Sequence, residues 1–299
     1  MTTAIPLPSF ERPRLPEWLR KRVGQSDTIH KLKTDLRGWK LYTVCEEARC
    51  PNLGECWSRG TATLMLMGDI CTRACGFCSV KSGKPSALDA DEPENVADQI
   101  REMGLKHVVI TSVDRDDLRD GGALHFAETI RAVHRKNSTT TVEVLTPDFQ
   151  NDTQAIETLC VYGSPDIFSH NIETVERITP KIRSKARYAR SLDVLRKAKE
   201  YMGDRYTKSG IMVGLGETPD EVLQTLKDLR EVDVECITIG QYLQPTSDNL
   251  RVVEFVKPEQ FKVYQSIAHD LGYKFAFCGP FVRSSYMSEQ VFAAEPLTT

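Results

Sequence analysis

No stretch of this 299-residue chain is apolar for anything near the ~20 residues that a membrane-crossing helix requires, so none is expected. Met1 to Phe10 lack a charged segment followed by an apolar run, and they lack the Arg-rich pattern of an organelle import signal. A cytoplasmic location is therefore expected. Charge of one sign is also missing. Lys and Arg total 39 against 42 Asp and Glu, giving a net charge of −3 and a pI near 6.1. That balance argues against broad nucleic-acid binding. The six histidines show no pairing at ligand spacing, and His170 beside Asn171 is read as structural. No internal repeat, low-complexity tract or heptad seam stands out, so a monomer is the default. Nine cysteines, an odd number without an export signal, disfavour a disulfide framework and suit thiolate metal ligands in a reducing compartment.

Six of those nine cysteines form two triads, Cys45, Cys50 and Cys56, then Cys71, Cys75 and Cys78. The first has spacing C-x₄-C-x₅-C and the second C-x₃-C-x₂-C. A [4Fe–4S] cluster needs one ligand on each of four irons, so three thiolates leave an iron open to bind something else. Zinc is the competing occupant, but structural zinc takes four ligands, often as paired C-x₂-C units. Two triads at different spacings imply two centres with different tasks. Cys160, Cys236 and Cys278 lie apart in apolar surroundings and read as small buried hydrophobes.

Residues 1–61 read as an N-terminal strap and auxiliary-cluster segment. Pro6, Pro8, Pro13 and Pro16 favour extended chain, Glu17 to Arg22 a short helix, and Ser26 a cap for another helix through Leu36. Trp39 and Trp57 flank the first triad and are expected to shield it. From residue 62 to 277 the pattern alternates. Strand-like runs fall at Thr63–Met67, His107–Thr111, Thr140–Leu145, Asp166–Ser169, Gly210–Gly214 and Cys236–Gly240. Helix-like stretches fall between them at Glu94–Met103, Ala123–Lys136, Gln154–Val161, Ser191–Met202 and Pro219–Val232, with a late one at Pro258–Leu271. Such alternation predicts parallel βαβ units. Six are too few for a closed eight-stranded barrel. The expected fold class is therefore α/β, a partial, open (β/α)6 TIM-like barrel with N- and C-terminal extensions covering the open mouth. The tail, 278–299, is expected to return across the barrel. The second triad follows the first strand, on the rim where βα loops converge and active sites collect.

The segment Cys71-Thr-Arg-Ala-Cys75-Gly-Phe-Cys78 resembles the signature of the radical S-adenosylmethionine superfamily. Cys45-Glu-Glu-Ala-Arg-Cys50-Pro-Asn-Leu-Gly-Glu-Cys56 resembles the auxiliary-cluster motif of the lipoyl synthase family within it. Thr111–Gly122, Thr207–Gly210, Gly214–Glu217, Gln241–Pro245 and Arg283-Ser-Ser-Tyr286 also look like that family. The resemblance covers roughly Trp39 to Tyr286. Met287 stands where the family often has His.

The resemblance implies that Cys71, Cys75 and Cys78 hold the cluster whose open iron is chelated by S-adenosylmethionine. Reductive cleavage there yields a 5′-deoxyadenosyl radical. It implies that a second [4Fe–4S] cluster on Cys45, Cys50 and Cys56 is the sulfur source, with a serine of Arg283–Tyr286 as fourth ligand. Ser285 is favoured and Ser284 is the alternate. Gly121 and Gly122 either approach the cofactor's methionine portion or make a turn. Glu143, Asn171 and Arg183 lie where ribose, adenine and carboxylate contacts are expected. Gly214–Glu217 approaches adenine or turns strand into helix. At least two of Asp114, Arg115, Asp116 and Asp117 are expected to be solvated charge. Arg283 or Lys208 is expected near the target lysine.

The implied reaction is sulfur insertion at the sixth and eighth carbons of an octanoyl-lysine. The implied partners are octanoylated lipoyl carrier domains or H-protein, and a low-potential donor such as ferredoxin or flavodoxin. Two rivals are a methylthiotransferase acting on tRNA and a non-catalytic iron–sulfur carrier. The first would want a basic RNA-binding module, and the second would not need a barrel of this length.

Overall fold

The computed structural model describes residues 14–20, 42–43, 50 and 52–293. The expected helix at Ser26–Leu36, Trp39, Cys45 and the Trp57 side chain lie outside the described residues. Tyr42–Thr43 (β1) pairs antiparallel with Thr61–Leu66 (β2). A short two-stranded ribbon follows, Ile70–Cys71 (β3) with Lys81–Ser82 (β4). Six more strands are His107–Ser112 (β5), Thr141–Leu145 (β6), Ile167–Ser169 (β7), Tyr206–Val213 (β8), Cys236–Gln241 (β9) and Phe275–Gly279 (β10). The main sheet runs β1-β2-β5-β6-β7-β8-β9-β10, and every pairing beyond β1 is parallel.

Helices follow six of these strands, at Glu92–Met103, Ala123–Lys136, Thr153–Glu157, Tyr188–Met202, Pro219–Glu231 and Pro258–Asp270. The six βα units expected from the sequence are present, and a seventh parallel strand, β10, extends them. Parallel strands covered by helices are buried on both faces, which suits runs such as Val108-Val-Ile110 and Ile237-Thr-Ile239. Helix starts and stops follow local chemistry. Thr218 caps Pro219–Glu231 through a reciprocal pair with Glu221, and proline occupies the first helical position. Gly104, at φ 61°, ends Glu92–Met103. One core packs around β2, β5 and β6 and a second around β8 and β9.

Two strand expectations and one helix expectation need correction. β8 begins at Tyr206, four residues before Gly210, because Thr207, Lys208 and Ser209 are polar residues buried in the barrel and hide the strand from an apolar-run reading. β10 was not expected, and the 277/278 division falls inside it. The stretch Gln154–Val161 is an α-helix only to Glu157 and then a π turn over Thr158–Gly163.

Among the described residues β10 pairs with neither β1 nor β2, so the barrel stays open on that side. The tail runs down the gap. The Val282 carbonyl lies so close to Gly240 that a Cβ there would sit 2.0 Å from it. Further on, Glu289 accepts from Thr61 Oγ1 at 3.3 Å, and Val291 packs with Ile167, Cys236 and Phe275. The C-terminal extension therefore forms part of the barrel wall as well as reaching its mouth. No helix among the described residues is long and apolar enough to cross a membrane.

Candidate active site

The loop carrying Cys71, Cys75 and Cys78 leaves the C-terminal end of β2 and is pinned on three sides. The Thr72 amide donates to the Asp114 carbonyl at 3.0 Å, the Gly76 amide to Ile182 at 2.8 Å, and the Leu250 amide to Gly76 at 2.9 Å. Asn249 Nδ2 donates to the Cys78 carbonyl at 2.8 Å. Two backbone amides, of Arg73 and Asp114, approach Cys71 Sγ at 3.4 and 3.3 Å. Hydrogen bonds to sulfur favour a thiolate and tune any cluster it holds. Burial pushes the free Cys75 thiol up to about 12 and Cys78 up to about 11. Metal binding must therefore release protons from this loop.

All three cysteines line one cavity of about 470 Å³ at the barrel mouth. Its apolar wall includes Met65, Val113, Leu145, Ile211, Met212 and Val282. Its polar lining includes Asn171, Glu173, Arg183 and Gln241. Asn171 Oδ1 is buried without a hydrogen-bond partner, an orphan acceptor beside the cavity that suits a hydroxyl-bearing ligand. Glu173 was not singled out in the sequence. It sits at φ 69°, and burial raises its carboxyl against the pull of Arg183. Its signal was the alternation Asn171-Ile-Glu173 just past a strand, which turns both polar residues to one side.

His170 also lines the cavity, and its structural role holds. Nδ1 faces the Thr146 carbonyl at 2.9 Å and must donate; Nε2 lies 2.9 Å from Ser191 Oγ, itself an acceptor for Arg183 Nη1. Burial, reinforced by Arg183, pulls its pKa down to about 4, and burial beside Lys208 pulls His107 down to about 3. The unfolded chain binds protons at these rings near pH 6.5 while the folded chain does not. The urea midpoint should therefore fall as pH drops from about 6.5 towards 4, with roughly 3 kcal/mol attributable to His170 at the limit. His170→Asn should flatten that slope, and an unchanged slope would exclude the ring as its source.

Other expected contacts fall elsewhere. Gly121 and Gly122 make the turn into Ala123–Lys136. Both have positive φ, and a Cβ would stand 3.0 Å from Phe149 Cδ1 and 2.4 Å from Met67 Sδ respectively. They lie outside the cavity wall. Glu143 is a correction: it is fully buried in the middle of β6 and paired with Lys208 Nζ at 3.0 Å. That same pairing removes Lys208 from any contact with a target lysine. Gly214–Glu217 is a strand-to-helix turn, in which the Glu217 carboxylate accepts from the Gly214 and Leu215 amides. Of the four charged residues after β5, only Asp117 has an exposed side chain. Arg115 is buried against Asp117, and Asp114 and Asp116 face Arg73.

Cys50 and Cys56 are half-buried around the start of a helix, Leu53–Ser58. The tail is clasped to this segment. Asn52 Nδ2 donates to the Phe281 carbonyl at 2.7 Å, and Tyr286 Oη to Glu55 Oε1 at 3.0 Å. Burial lowers the Arg283 guanidinium's pKa, and the nearby Cys50 charge pulls it the other way. Arg283 and Ser284 line the same cavity as the second triad. Ser285, favoured from the sequence, is not on that wall. Ser284 and Ser285 both sit within a turn closed by the Tyr286 amide on the Arg283 carbonyl at 2.9 Å. Among the described residues, no three ligand-type side chains converge enough to hold a single ion. A cluster asks less, one thiolate for each of three irons.

Residues 65–229 match the family model of the Radical SAM superfamily, and residues 2–50 match that of the N-terminal domain of lipoyl synthase. The lipoyl synthase of Shouchella clausii (strain KSM-K16) is 52% identical over 278 residues, covering 93% of this chain and 90% of its own. The mitochondrial lipoyl synthase of Drosophila mojavensis is 51% identical over 286 residues, covering 93% and 78%. Among solved structures, methylornithine synthase (PylB) superposes with a TM-score of 0.56 at 13% identity, covering 91% of this chain and 95% of that one. SuiB of Streptococcus suis bound to S-adenosylmethionine gives 0.56 at 9% identity, covering 85% and 56%. At such identities the structural likeness shows the fold alone.

Proposed function

The chain belongs to the lipoyl synthase family of the radical S-adenosylmethionine superfamily, and on that premise we propose how its residues divide the work. The activity is radical insertion of two sulfur atoms at the sixth and eighth carbons of a protein-bound octanoyl-lysine, on a lipoyl carrier protein. The family uses S-adenosylmethionine and two [4Fe–4S] clusters.

In our reading Cys71, Cys75 and Cys78 hold one cluster, and Cys45, Cys50 and Cys56 hold the other with a serine of Arg283–Tyr286, Ser285 or its alternate Ser284. When bound, the first supplies the electron that cleaves S-adenosylmethionine, and the second supplies the sulfur. An unactivated C–H bond offers no acidic proton, so no side chain here is asked to act as general base. The chain's task is to orient and to exclude water. Asn171, Glu173 and Arg183 flank the cofactor, while Met65, Leu145 and Met212 give the octanoyl chain an apolar path. The observation that carries this reading is that one cavity is lined both by the second triad and by Arg283–Ser284, whose tail is clasped to the first triad's segment. Radical generation and sulfur delivery thus meet in one space.

The carrier is proposed to be an octanoylated lipoyl domain or H-protein, the reductant ferredoxin or flavodoxin, and the working unit a cytoplasmic monomer. Anaerobic enzyme given dithionite, S-adenosylmethionine and an octanoyl-lysyl peptide should add two sulfurs to the peptide, with about two 5′-deoxyadenosines formed per product. Cofactor cleavage with an unchanged peptide mass would sink the proposal.

A further inference from the structure

Arg73 lies inside the cysteine loop, between Cys71 and Cys75, yet its side chain is only 3% exposed. Its guanidinium meets three carboxylates. Nε and Nη2 fork onto Asp116, with the shortest contact at 2.7 Å; Nη2 reaches Asp148 at 2.7 Å, and Nη1 reaches Asp114 at 3.2 Å. A planar fork of donors is what arginine offers and lysine does not. Lys185 on Asp116 and Arg190 on Asp148 complete a group of three cations and three anions.

The carboxylates are themselves held. The Asp116 amide donates to Thr72 Oγ1 at 3.0 Å, Thr72 Oγ1 donates to the Asp114 carbonyl at 2.9 Å, and the Asp114 amide approaches Cys71 Sγ. A short chain of contacts thus runs from Arg73 back to a cysteine sulfur. Asp148 is fully buried and heads a turn in which three successive residues, Phe149, Gln150 and Asn151, have φ of 43°, 51° and 66°. L-residues avoid that region, and such strain persists only where surroundings over-determine it. Here they do. Asp148 Oδ1 accepts from the Gln150 amide, Asn151 Nδ2 donates to Asp193 at 2.6 Å, and Lys197 Nζ donates to the Asn151 carbonyl and side chain. The strained turn delivers one carboxylate, beneath the cysteine loop.

We propose that Arg73 is a positioning residue for the Cys71–Cys78 cluster, acting through an anchor at Asp148. It rests on the reading of Cys71, Cys75 and Cys78 as cluster ligands. Loops open locally at small cost unless something ties them to rigid elements. Arg73 ties this one to the ends of β5 and β6 at once, and Asp114 passes that constraint to Cys71.

The test uses full-length protein in which Cys50 and Cys56 are alanine, so that only this cluster is followed. Arg73→Lys keeps the charge without the fork, and Asp148→Asn changes no atom near a cysteine. Both should take up iron to the parent level. Both should lose it to a chelator about ten- to a hundredfold faster, the range for groups supporting metal ligands. Both should also weaken the change in the reduced cluster's paramagnetic resonance spectrum on adding S-adenosylmethionine. The double variant should be no worse than either single one, since they act in series. Lys185→Gln, an exposed cation on the same network, should behave as the parent. If Arg73→Lys and Asp148→Asn lower only the melting temperature, leaving chelator rate and spectrum at parent values, the network is fold support and the proposal fails. If the parent itself holds no cluster responsive to S-adenosylmethionine, the ligand assignment fails first and the proposal with it. Should Arg73→Lys not fold, Asp148→Asn decides alone by the same two readouts.

Discussion

Replacing Cys71, Cys75 or Cys78 by alanine is expected to abolish 5′-deoxyadenosine formation, whereas replacing Cys50 or Cys56 should abolish sulfur insertion and leave cofactor cleavage in place. Each substitution should lower iron from about eight to about four per chain, as one of two four-iron clusters is lost. The split follows from placement. The second triad sits on a rim loop held by Asp114, Ile182 and Leu250, all barrel residues. The first triad's segment is held instead by the tail, through Asn52–Phe281 and Tyr286–Glu55. Losing one centre therefore leaves these named supports of the other in place. Iron analysis, chromatography of the nucleoside product and peptide mass spectrometry read the three quantities separately. Cofactor cleavage surviving loss of Cys75, or sulfur insertion surviving loss of Cys56, would overturn the assignment. Ser285→Ala and Ser284→Ala, made separately, should identify the serine proposed as fourth ligand, whose loss should follow the second pattern in milder form.

What the sequence revealed about this site was whatever is encoded locally. The cysteine spacings are local, so both triads could be read directly. The βα alternation is local too, and six units emerged with helix boundaries near those observed, Ala123–Lys136 without change. What stayed hidden depends on residues that meet only in the fold. Glu143 looked like a rim residue because it lies in a predicted strand near other candidates. Its partner, Lys208, lies 65 residues away on a strand whose polar start concealed it. Arg73 stood inside the motif but its three carboxylates come from later loops. Which of the adjacent residues Ser284 and Ser285 faces the first triad depends on local backbone conformation, which no spacing rule reports.

Replacing Lys208 by methionine should destabilise the fold more than any surface substitution, by about 3–5 kcal/mol, the usual result of stripping one partner from a buried ion pair. Both side chains are wholly inaccessible, Nζ lies 3.0 Å from each Glu143 oxygen, and no other cation is within bonding reach among the described residues. His107 Nε2 stands 3.9 Å away but burial keeps that ring neutral, so it cannot replace the ammonium. Burial already raises the Glu143 carboxyl, and Lys208 is what opposes the shift. Without it the carboxyl must take up a proton or remain an unpaired charge. Glu143→Leu combined with Lys208→Met should recover most of the loss, because an apolar pair of similar volume needs no compensation. The pair lies below the cavity, between β6 and β8, so iron content and cofactor cleavage at low temperature should stay near parent values in the double variant. Anaerobic melting curves of the two single variants and the double one give the comparison. A double variant as unstable as Lys208→Met alone would mean that the ion pair contributes specific geometry to the barrel, and that apolar packing cannot substitute for it.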